Sequence, residues 1–412
     1  MKIGFKFLVL SSVFAGIATP VAMAQSADNP FLRGRYTAVT ERSQAEYDPE
    51  PVRAGAFEIF SSLGLSAEYN DNVYATQTGQ DDDTYIRVRP EVAARSNWSV
   101  HELNAGLLVD HKDYVSLDSE TTTDYSGYVG GRLDVQRSFN FRGRLNAAST
   151  TEPRYEPASS GSVEPAQYDT LGASVGAAFR RDRFQIEGDI ATKEDDFDAA
   201  VFDYRDVKED SLFGRASYAI SPDVAIFVQG RTSDLDYDTG NRDGTRSYVQ
   251  VGTSFELSAP FRGEIAIGNV RDEKDNPAFN DVDGLSVDGN VQWFPTQLTT
   301  VAFRANRGVF DPGILTSPSA TNTQFGVRVD HELLRNVVLF GDVGFGKYEF
   351  ENIDRDEEFT DLQLGAGYKL NKHARLDFSY RLHSQESSGV DADPTRLDID
   401  QNIFAVGLKL YP

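Results

Sequence analysis

The sequence predicts an all-β protein, a transmembrane up-and-down antiparallel β-barrel of about 18 strands, with 16 as the alternative count. Three observations support this prediction. They are an export signal at the N-terminus, short segments in which polar and apolar residues alternate, and a regular alternation between short and long connections. A soluble β-sandwich or propeller would share the short strands but would not require that alternation of connection length.

The N-terminus has the organisation of a signal peptide. A lysine-containing start is followed by an apolar run and then by Ala22-Met23-Ala24. We therefore expect cleavage before Gln25, with residues 1–24 removed. A membrane-anchor helix is the alternative, but Pro20 interrupts the apolar length it would need. Residues 25–55 are polar and show no sustained period, which predicts a periplasmic N-terminal extension, and residues 56–412 are predicted to form the barrel.

The overall composition fits an exported barrel better than a nucleic-acid-binding or disulfide-stabilised protein. The formal net charge of -24 would repel phosphate backbones, and the chain contains no cysteine. The mean hydropathy of -0.42 resembles that of a soluble protein. Barrels escape this index because each lipid-facing residue alternates with a lumen-facing one.

Alternation with a period of two runs through most of the chain after residue 56. In the first segment, Phe57, Leu63, Leu65 and Tyr69 fall on one face and polar residues fall on the other. Residues 285–293 and 376–382 repeat the pattern. A helix would scatter these residues around its axis, so the period indicates strands with one apolar face.

Connections between the segments alternate between about eight short and nine long ones, which gives about 18 strands. The short connections fall near residues 96–98, 137–139, 180–182, 221–223, 258–260, 295–297, 334–336 and 371–373. Outer-membrane barrels have short periplasmic turns and longer extracellular loops. We therefore predict an integral protein of the cell outer membrane whose N- and C-termini are both periplasmic.

The polar face of the strands is predicted to line the lumen, and it is rich in arginine. Arg forks can hold carboxylates or polymer hydroxyls, although cross-strand ion pairs that stabilise a polar wall are the alternative role. A slip of one residue would move the whole set to the other face. The candidate lumen-lining residues are Arg87, Arg89, Arg132, Arg142, Arg144, Arg215, Arg231, Arg262, Arg304, Arg328, Arg375 and Arg381.

The sequence contains no recognisable catalytic constellation. It lacks cysteine and a Gly-x-Ser-x-Gly elbow, and the adjacent His383 and Ser384 would point to opposite faces of a strand. We expect no enzyme activity, cofactor or metal site, and we interpret the acidic loop runs as solvated loops, with divalent-cation bridges to lipopolysaccharide as the alternative. Aromatic residues near strand ends, including Trp98, Tyr128 and Trp293, are expected at the membrane interfaces.

Several motifs resemble those of one known family. Residues 66–76, which include Tyr-Asn-Asp-Asn-Val at 69–73, are similar to the element after the first strand in the type 2 family of putative β-barrel porins. Residues 46–49 and 95–103 are similar to that family as well. The resemblance implies a barrel associated with exopolysaccharide export, which would receive polymer from a periplasmic export protein.

Three functions therefore remain open on the sequence. The first is a conduit for an exported exopolysaccharide, the second a general or weakly selective porin for small hydrophilic solutes, and the third a structural or adhesion barrel. A wide, unobstructed lumen would favour the first, a long loop folded into the lumen the second, and a plugged lumen the third. Expected partners are lipid, lipopolysaccharide and the barrel-assembly machinery, and Tyr47, Asp48 and Arg53 are candidate periplasmic docking residues.

Overall fold

The computed structural model describes residues 34–159, 164–258 and 260–412, so the predicted signal peptide lies outside the described residues. Its chain forms one short strand followed by the 18 antiparallel strands of a closed barrel, as the sequence predicted. The strands are β1 Val52–Ala54, β2 Phe57–Asn70, β3 Asp83–Ser96, β4 Glu102–Tyr114, β5 Thr122–Gln136, β6 Phe139–Thr151, β7 Gln167–Arg181, β8 Phe184–Phe197, β9 Val207–Ala219, β10 Val224–Tyr237, β11 Gly244–Glu256, β12 Phe261–Lys274, β13 Val282–Thr296, β14 Thr299–Phe310, β15 Ala320–Leu334, β16 Val337–Phe350, β17 Asp356–Asn371, β18 Ala374–Ser388 and β19 Asp398–Leu410.

Closure of the barrel depends on the pairing of its last strand with its first. The β19–β2 ladder runs from Ile403 opposite Asn70 to Leu410 opposite Leu63. Beyond that point the edge of β2 is covered by β1, which pairs with it through a turn at Gly55, where φ is +59°. β1 therefore covers residues 57–59 of the β2 edge that lies beyond the end of β19, which leaves less of that edge as a template for unwanted strand pairing.

The connections divide the barrel into two ends. Turns such as 137–138, 182–183 and 335–336 lie at one end, which we name the turn end, together with the start of β2 and the last residues of the chain. Longer connections, including 71–82, 198–206 and 311–319, lie at the other, the loop end. Within the described residues, helical structure is limited to 3₁₀ turns at Val39–Glu41, Asp118–Glu120 and Ala200–Arg205. The same residues contain no helix with the length and apolar character needed to span a bilayer.

Apolar and polar residues separate onto the two faces of the wall. Large apolar side chains such as Leu107, Val175 and Ile190 are exposed, whereas Asp189, the sequence neighbour of Ile190, pairs with Arg142 from β6, with β7 between the two strands. Contacts that skip a strand require a concave surface, because side chains converge there and diverge on the convex one. The polar face is therefore the inner face, and the register places the apolar face outward.

The exposed apolar belt ends before the strands do. On β10, the outward residues Ile226 and Val228 near the turn end are followed by the outward residues Asp234 and Asp236 near the loop end. On β9, likewise, Leu212 is followed by Asp210 toward the loops. Charged side chains are poorly tolerated in a bilayer interior. The loop-proximal parts of these strands are thus suited to project beyond the apolar layer.

The prediction of interfacial aromatic residues was wrong for Tyr128. Trp98 and Trp293 lie exposed near the turn end, as expected. Tyr128 points inward, because it shares the parity of Ser126 and Arg132 on β5 and not that of the exposed Val129. A Cβ atom at Gly106 would lie 2.5 Å from the Tyr128 ring, so the glycine on β4 makes room for this inward ring.

Candidate functional site

Ion pairs cover much of the inner wall, and most of the predicted arginines take part in them. Carboxylate partners lie within 4.0 Å of nine of the twelve. These nine are Arg87, Arg132, Arg142, Arg215, Arg262, Arg304, Arg328, Arg375 and Arg381. Such pairs keep the polar wall hydrogen-bonded, which is the structural role that the sequence left open.

Some of these arginines reach across an intervening strand where a glycine leaves space. Arg142 on β6 donates to Asp189 on β8 at 2.8 Å, and a Cβ atom at Gly176 on β7 would lie 1.9 Å from the carboxylate of Asp189. Similarly, Arg304 on β14 donates to Asp342 on β16 at 2.5 Å over Gly326. The glycines therefore allow the inner wall to be crossed by charge-assisted hydrogen bonds.

Arg215 shows how aromatic rings are built into the same wall. Its guanidinium donates two parallel hydrogen bonds to Glu264, at 2.7 and 2.8 Å, and lies 3.6 Å from the centroid of the Phe227 ring. The Phe227 ring lies against β11 at Gly252, where a Cβ atom would come within 2.3 Å of the ring. A bidentate pair combined with a cation–π contact fixes the guanidinium firmly.

Arg89, Arg144 and Arg231 differ from the other nine, because no carboxylate among the described residues lies within ion-pair distance of them. The Arg144 guanidinium rests 4.0 Å from the centroid of the Tyr128 ring, and that of Arg231 lies 5.8 Å from the centroid of Phe213. Arg89 has a buried Nε without a hydrogen-bond acceptor. These three side chains therefore have donors that the protein itself does not use.

A cavity of about 720 Å³ lies inside the barrel against strands β6 to β17. Arg144 and Arg231 line it, whereas Arg89 does not. Further lining residues are Asn146, Lys193, Glu209, Phe213, Arg215, Gln229, Tyr248, Asp288, Asn290, Arg304, Asn306 and Gln324. The cavity combines guanidinium, carboxylate, amide and aromatic groups, which suits a hydrophilic solute with a flat or charged portion.

Residues 152–159, in the connection after β6, extend into the barrel at the loop end. Tyr155 from this loop stacks on His383 of β18, with ring centroids 3.9 Å apart. Its neighbour Arg154 is anchored by Glu120 at 2.5 Å. Arg396, from the connection between β18 and β19, donates to the backbone oxygen of Arg154 at 2.6 Å. The loop thus joins strands that are far apart on the barrel wall.

Other loops meet over the lumen in the same region. Arg205 pairs with Glu152 at 2.6 Å, and the Tyr204 hydroxyl donates to the backbone oxygen of Gly313 at 2.8 Å. Arg242 pairs with Asp311. We name residues 152–159, 204–205, 242, 311–313 and 396 the loop constriction, because their contacts connect loops from opposite parts of the wall and narrow the loop end.

Two acidic residues of the loop constriction have shifted pKa values in opposite directions. Burial and the neighbouring carboxylates of Glu152 and Glu357 raise the pKa of Glu156 well above its ordinary value, against the opposing effect of Arg205 and Arg396. Burial also acts to raise the pKa of Asp311, but the Arg242 guanidinium, hydrogen bonds from the Tyr237 hydroxyl and the Gly313 backbone N–H, and Arg205 together hold it below its usual range. Glu156 is therefore the constriction carboxyl that favours the protonated form.

The N-terminal segment lines the turn end from inside. The carboxylate of Glu256 on β11 accepts hydrogen bonds from the backbone N–H groups of Gly34 at 3.0 Å and Arg35 at 2.5 Å. Tyr36 stacks on Phe294 of β13 with ring centroids 5.1 Å apart. The segment therefore begins, within the described residues, against the wall and not as a free tail.

Further along, ion pairs hold the segment to successive strands. Arg262 donates to Glu41 at 2.5 Å, and Arg42 donates to Glu332 at 3.2 Å. Asp48, one of the candidate docking residues, accepts from Lys369 at 2.8 Å. Tyr47 is half-buried beside it, whereas the Arg53 side chain is 77% exposed and lies 3.8 Å from Glu58. Of the three, Arg53 is the most accessible, and a docking role for the set stays a prediction.

The family relationship of the chain follows from its sequence together with this barrel. The family model described as Putative beta-barrel porin 2 matches residues 44–410, which include all of the strands. The chain belongs to this family. No curated protein matches this porin.

Solved structures with a similar barrel come from other outer-membrane proteins. The outer membrane protein opdK from Pseudomonas aeruginosa is 12% identical, with a TM-score of 0.48 over 86% of the porin and 99% of that chain. A BenF-like porin from Pseudomonas fluorescens Pf-5 is 10% identical, with a TM-score of 0.48 and the same coverage of both chains. OmpT of Vibrio cholerae is 11% identical, with a TM-score of 0.37 over 88% of the porin and 100% of that chain.

Sequence reasoning missed the residues that shape the interior of this porin most strongly. The loop arginines Arg154, Arg205, Arg242 and Arg396 had no periodic signal, since loops carry none. The inward rings could have been found, because Phe213 shares the parity of Arg215 on β9. His383 and Ser384 fall on opposite faces, as expected, and His383 bonds Asp361 at 2.8 Å. Among the described residues, no group of three or more acidic or His side chains is arranged to hold a metal ion.

Proposed function

We propose that this porin is a passive diffusion channel for small hydrophilic solutes across the outer membrane. The observation that carries the proposal is the inward position of residues 152–159, in which Tyr155 lies against His383 of β18. A loop inside the lumen reduces the cross-section available to large solutes but leaves room for small ones. The polar, ion-paired wall supplies the hydrogen bonds that such solutes exchange for water during passage.

Export of an exopolysaccharide is the second candidate, and its support is the family resemblance at residues 66–76. A linear polymer needs a continuous opening along the whole lumen. The loop constriction and the N-terminal segment would both have to move to provide it. We rank this candidate second because several ion pairs, such as Arg205–Glu152 and Arg154–Glu120, would have to break.

We also propose an orientation for the barrel in the membrane and a function that involves no catalysis. We place the turn end and both termini in the periplasm and the loop end outside the cell, since membrane barrels carry their longer loops there. The porin would then act without catalysis and without a cofactor. Partners would be lipid and lipopolysaccharide around the belt and the barrel-assembly machinery during insertion. A periplasmic export protein would be needed only for the second candidate.

The experiment combines single-channel conductance in planar bilayers with a tethered loop. The chain contains no cysteine, so a double variant Tyr155→Cys with His383→Cys offers the only reactive thiols. A short bifunctional thiol reagent then fixes the loop across the lumen. Solute passage is measured with saccharides of graded length, from monosaccharides to long oligosaccharides. The two single cysteine variants, treated with the same reagent, are the matched controls.

If the porin is a diffusion channel, we expect the tether to leave conductance and monosaccharide passage unchanged, because the loop already lies inside the lumen. Long oligosaccharides should be excluded with and without the tether. Passage of long oligosaccharides that the tether abolishes would instead support the polymer conduit. Absence of conductance in the wild type and in both controls would favour a structural barrel and contradict the proposal.

A further inference from the structure

We infer that the central cavity is a binding site for small organic anions, with carboxylates as the preferred class, and that Arg144 and Arg231 contact the anion. This inference rests on the proposed function, because it names the solutes that the channel would favour. It depends on a distinction within the inner wall. Most of its arginines are neutralised by the protein, and these two are not.

The contrast with the paired arginines is clear at the cavity itself. Arg215 and Arg304 also line the cavity, but Glu264 and Asp342 satisfy their guanidinium groups at 2.7 and 2.5 Å. A guanidinium that is already paired with a carboxylate of the protein contributes little to the binding of a solute, because its charge and its donors are in use. An unpaired guanidinium, by contrast, keeps donors that only water or a solute can use. Arg144 and Arg231 are therefore the cavity arginines available for recognition.

Aromatic rings lie beside both unpaired guanidinium groups, at 4.0 Å from the ring centroid for Arg144 and 5.8 Å for Arg231. Arg144 lies over the Tyr128 ring, with its carbon 4.0 Å from the centroid. Arg231 lies between two aromatic neighbours, because Phe213 on β9 and Tyr248 on β11 are its partners in register. A guanidinium that rests on a ring by cation–π contact leaves its edge free for a planar, bidentate carboxylate.

The spacing of the two arginines suits a small solute. Arg144 is in register, through β7 to β9, with Ser233 on β10, two residues from Arg231. The two strands are separated by about 19 Å along the wall at about 4.8 Å per strand. Long side chains that converge inside the barrel shorten that distance. The cavity volume of about 720 Å³ lies within the roughly 300–1,000 Å³ typical of small-molecule sites.

The remaining charges of the cavity do not remove this preference. Glu187 and Asp189 are both bound by Arg142, and Asp288 accepts from Gln250 at 2.6 Å and from Asn306 at 2.8 Å. Glu209 lies opposite Leu235, four residues from Arg231 toward the loop end, and Lys193, its other neighbour in register, pairs with Asp195 at 2.5 Å. Because the chain as a whole carries a net charge of -24, an anion would otherwise be disfavoured. Two uncompensated guanidinium groups give it a local minimum of potential energy.

The first test measures binding without transport, on the full-length mature porin in detergent micelles. Benzoate and succinate are titrated by isothermal calorimetry, with glucose as the neutral comparison. We expect the double variant Arg144→Gln with Arg231→Gln to weaken carboxylate binding about tenfold or more, since each loses a charge-assisted hydrogen bond. Arg89→Gln is the matched control. It removes the same charge from the inner wall outside the cavity, and should change binding less than about twofold.

The second test uses the same proteins in planar bilayers under a salt gradient. The reversal potential should indicate anion preference in the wild type and shift toward cations in the double variant, with Arg89→Gln close to wild type. Equal effects of the double variant and of Arg89→Gln, or carboxylate binding that persists in the double variant, would overturn the inference. Binding without any conductance would contradict the proposed function and leave the anion site supported. Conductance without carboxylate binding would contradict the site alone.

Discussion

Asp71 and Asn402 form a paired contact across the seam where the barrel closes. The backbone N–H of Asn402 donates to one carboxylate oxygen of Asp71 at 2.7 Å, and the Asn402 side-chain amide donates to the other at 2.8 Å. The backbone N–H of Asp71 donates in return to the Asn402 carbonyl at 3.1 Å. The Tyr-Asn-Asp-Asn-Val motif therefore joins the first barrel strand to the last at the loop end.

Asn72 strengthens the same seam from the next position. Its side-chain amide donates to the backbone oxygen of Asp400 at 2.9 Å. Its backbone oxygen accepts from the side-chain amide of Gln401 at 2.7 Å. Asn72 is fully buried. This gives the motif a structural role that is independent of any substrate, since it locks the β2–β19 pairing at the point where the ladder ends.

Substituting Asp71 by Ala should therefore destabilise the barrel by about 1–3 kcal/mol, because two donors of Asn402 lose a charged acceptor. The free energy of unfolding can be measured by urea titration in lipid vesicles, followed by the fluorescence of the two tryptophans. Asp275→Ala, at an exposed aspartate of the loop between β12 and β13, is the control and should be neutral. Equal stability of the two variants would refute the role assigned to the seam.

Gly176→Ala tests the crossing of β7 by the Arg142–Asp189 pair. A methyl group there would meet the Asp189 carboxylate at 1.9 Å. The pair would have to separate, which would leave a charge of the inner wall without its partner. We expect a loss of about 2 kcal/mol or more in unfolding free energy. Gly214→Ala on β9, where a Cβ atom has nothing within 4 Å, should cost far less. If Gly176→Ala left the unfolding free energy unchanged, the Arg142–Asp189 pair would not depend on the absence of a side chain at position 176.

Glu156 should make the loop constriction sensitive to pH. Because its pKa is raised in the folded protein, the folded state binds a proton that the unfolded loop releases. The contribution to stability is full below the ordinary glutamate pKa and is lost as the pH rises from there through the higher folded value. Hydrogen exchange of residues 154–159, corrected for its intrinsic pH dependence, should therefore be slower in mild acid than at neutral pH.

The variant Glu156→Gln isolates this effect, since an amide cannot ionise. We expect the exchange rates of the loop to lose most of their additional pH dependence and to stay near the acidic value of the wild type. Glu351→Gln is a suitable comparison, because its carboxyl also has a raised pKa, from burial and Glu349, but lies outside the loop constriction. A wild-type loop whose corrected exchange is independent of pH would contradict the assignment.

Glu256→Gln should release the beginning of the N-terminal segment. The carboxylate accepts from three consecutive backbone N–H groups, and an amide can satisfy them less well. Trypsin should then cleave after Arg35 and Arg42 several-fold faster than in the wild type, while the barrel stays folded. Glu273→Gln, an exposed residue that pairs with Arg271 near the loop end, is the control. Unchanged cleavage would show that other contacts suffice to hold the segment.

The sequence by itself predicted the barrel, a count of about 18 strands and the alternation of inward and outward residues along each strand. These properties are local. Alternation fixes the face of a residue from its neighbours, as at Val249 and Gln250 on β11, and connection length fixes which end of the barrel a turn occupies. An even number of strands then places the start of the first barrel strand and the end of the last one at the same end of the barrel.

Only the tertiary structure decided which inner arginines are used by the protein and where the lumen narrows. Arg215 and Glu264 are 49 residues apart and two strands lie between theirs, so no local pattern joins them. The same holds for Tyr155 and His383, which meet only because a loop crosses the lumen. The curvature and closure of the barrel bring inward side chains and loops from distant strands together. The alternation of residues along one strand carries no information about such contacts.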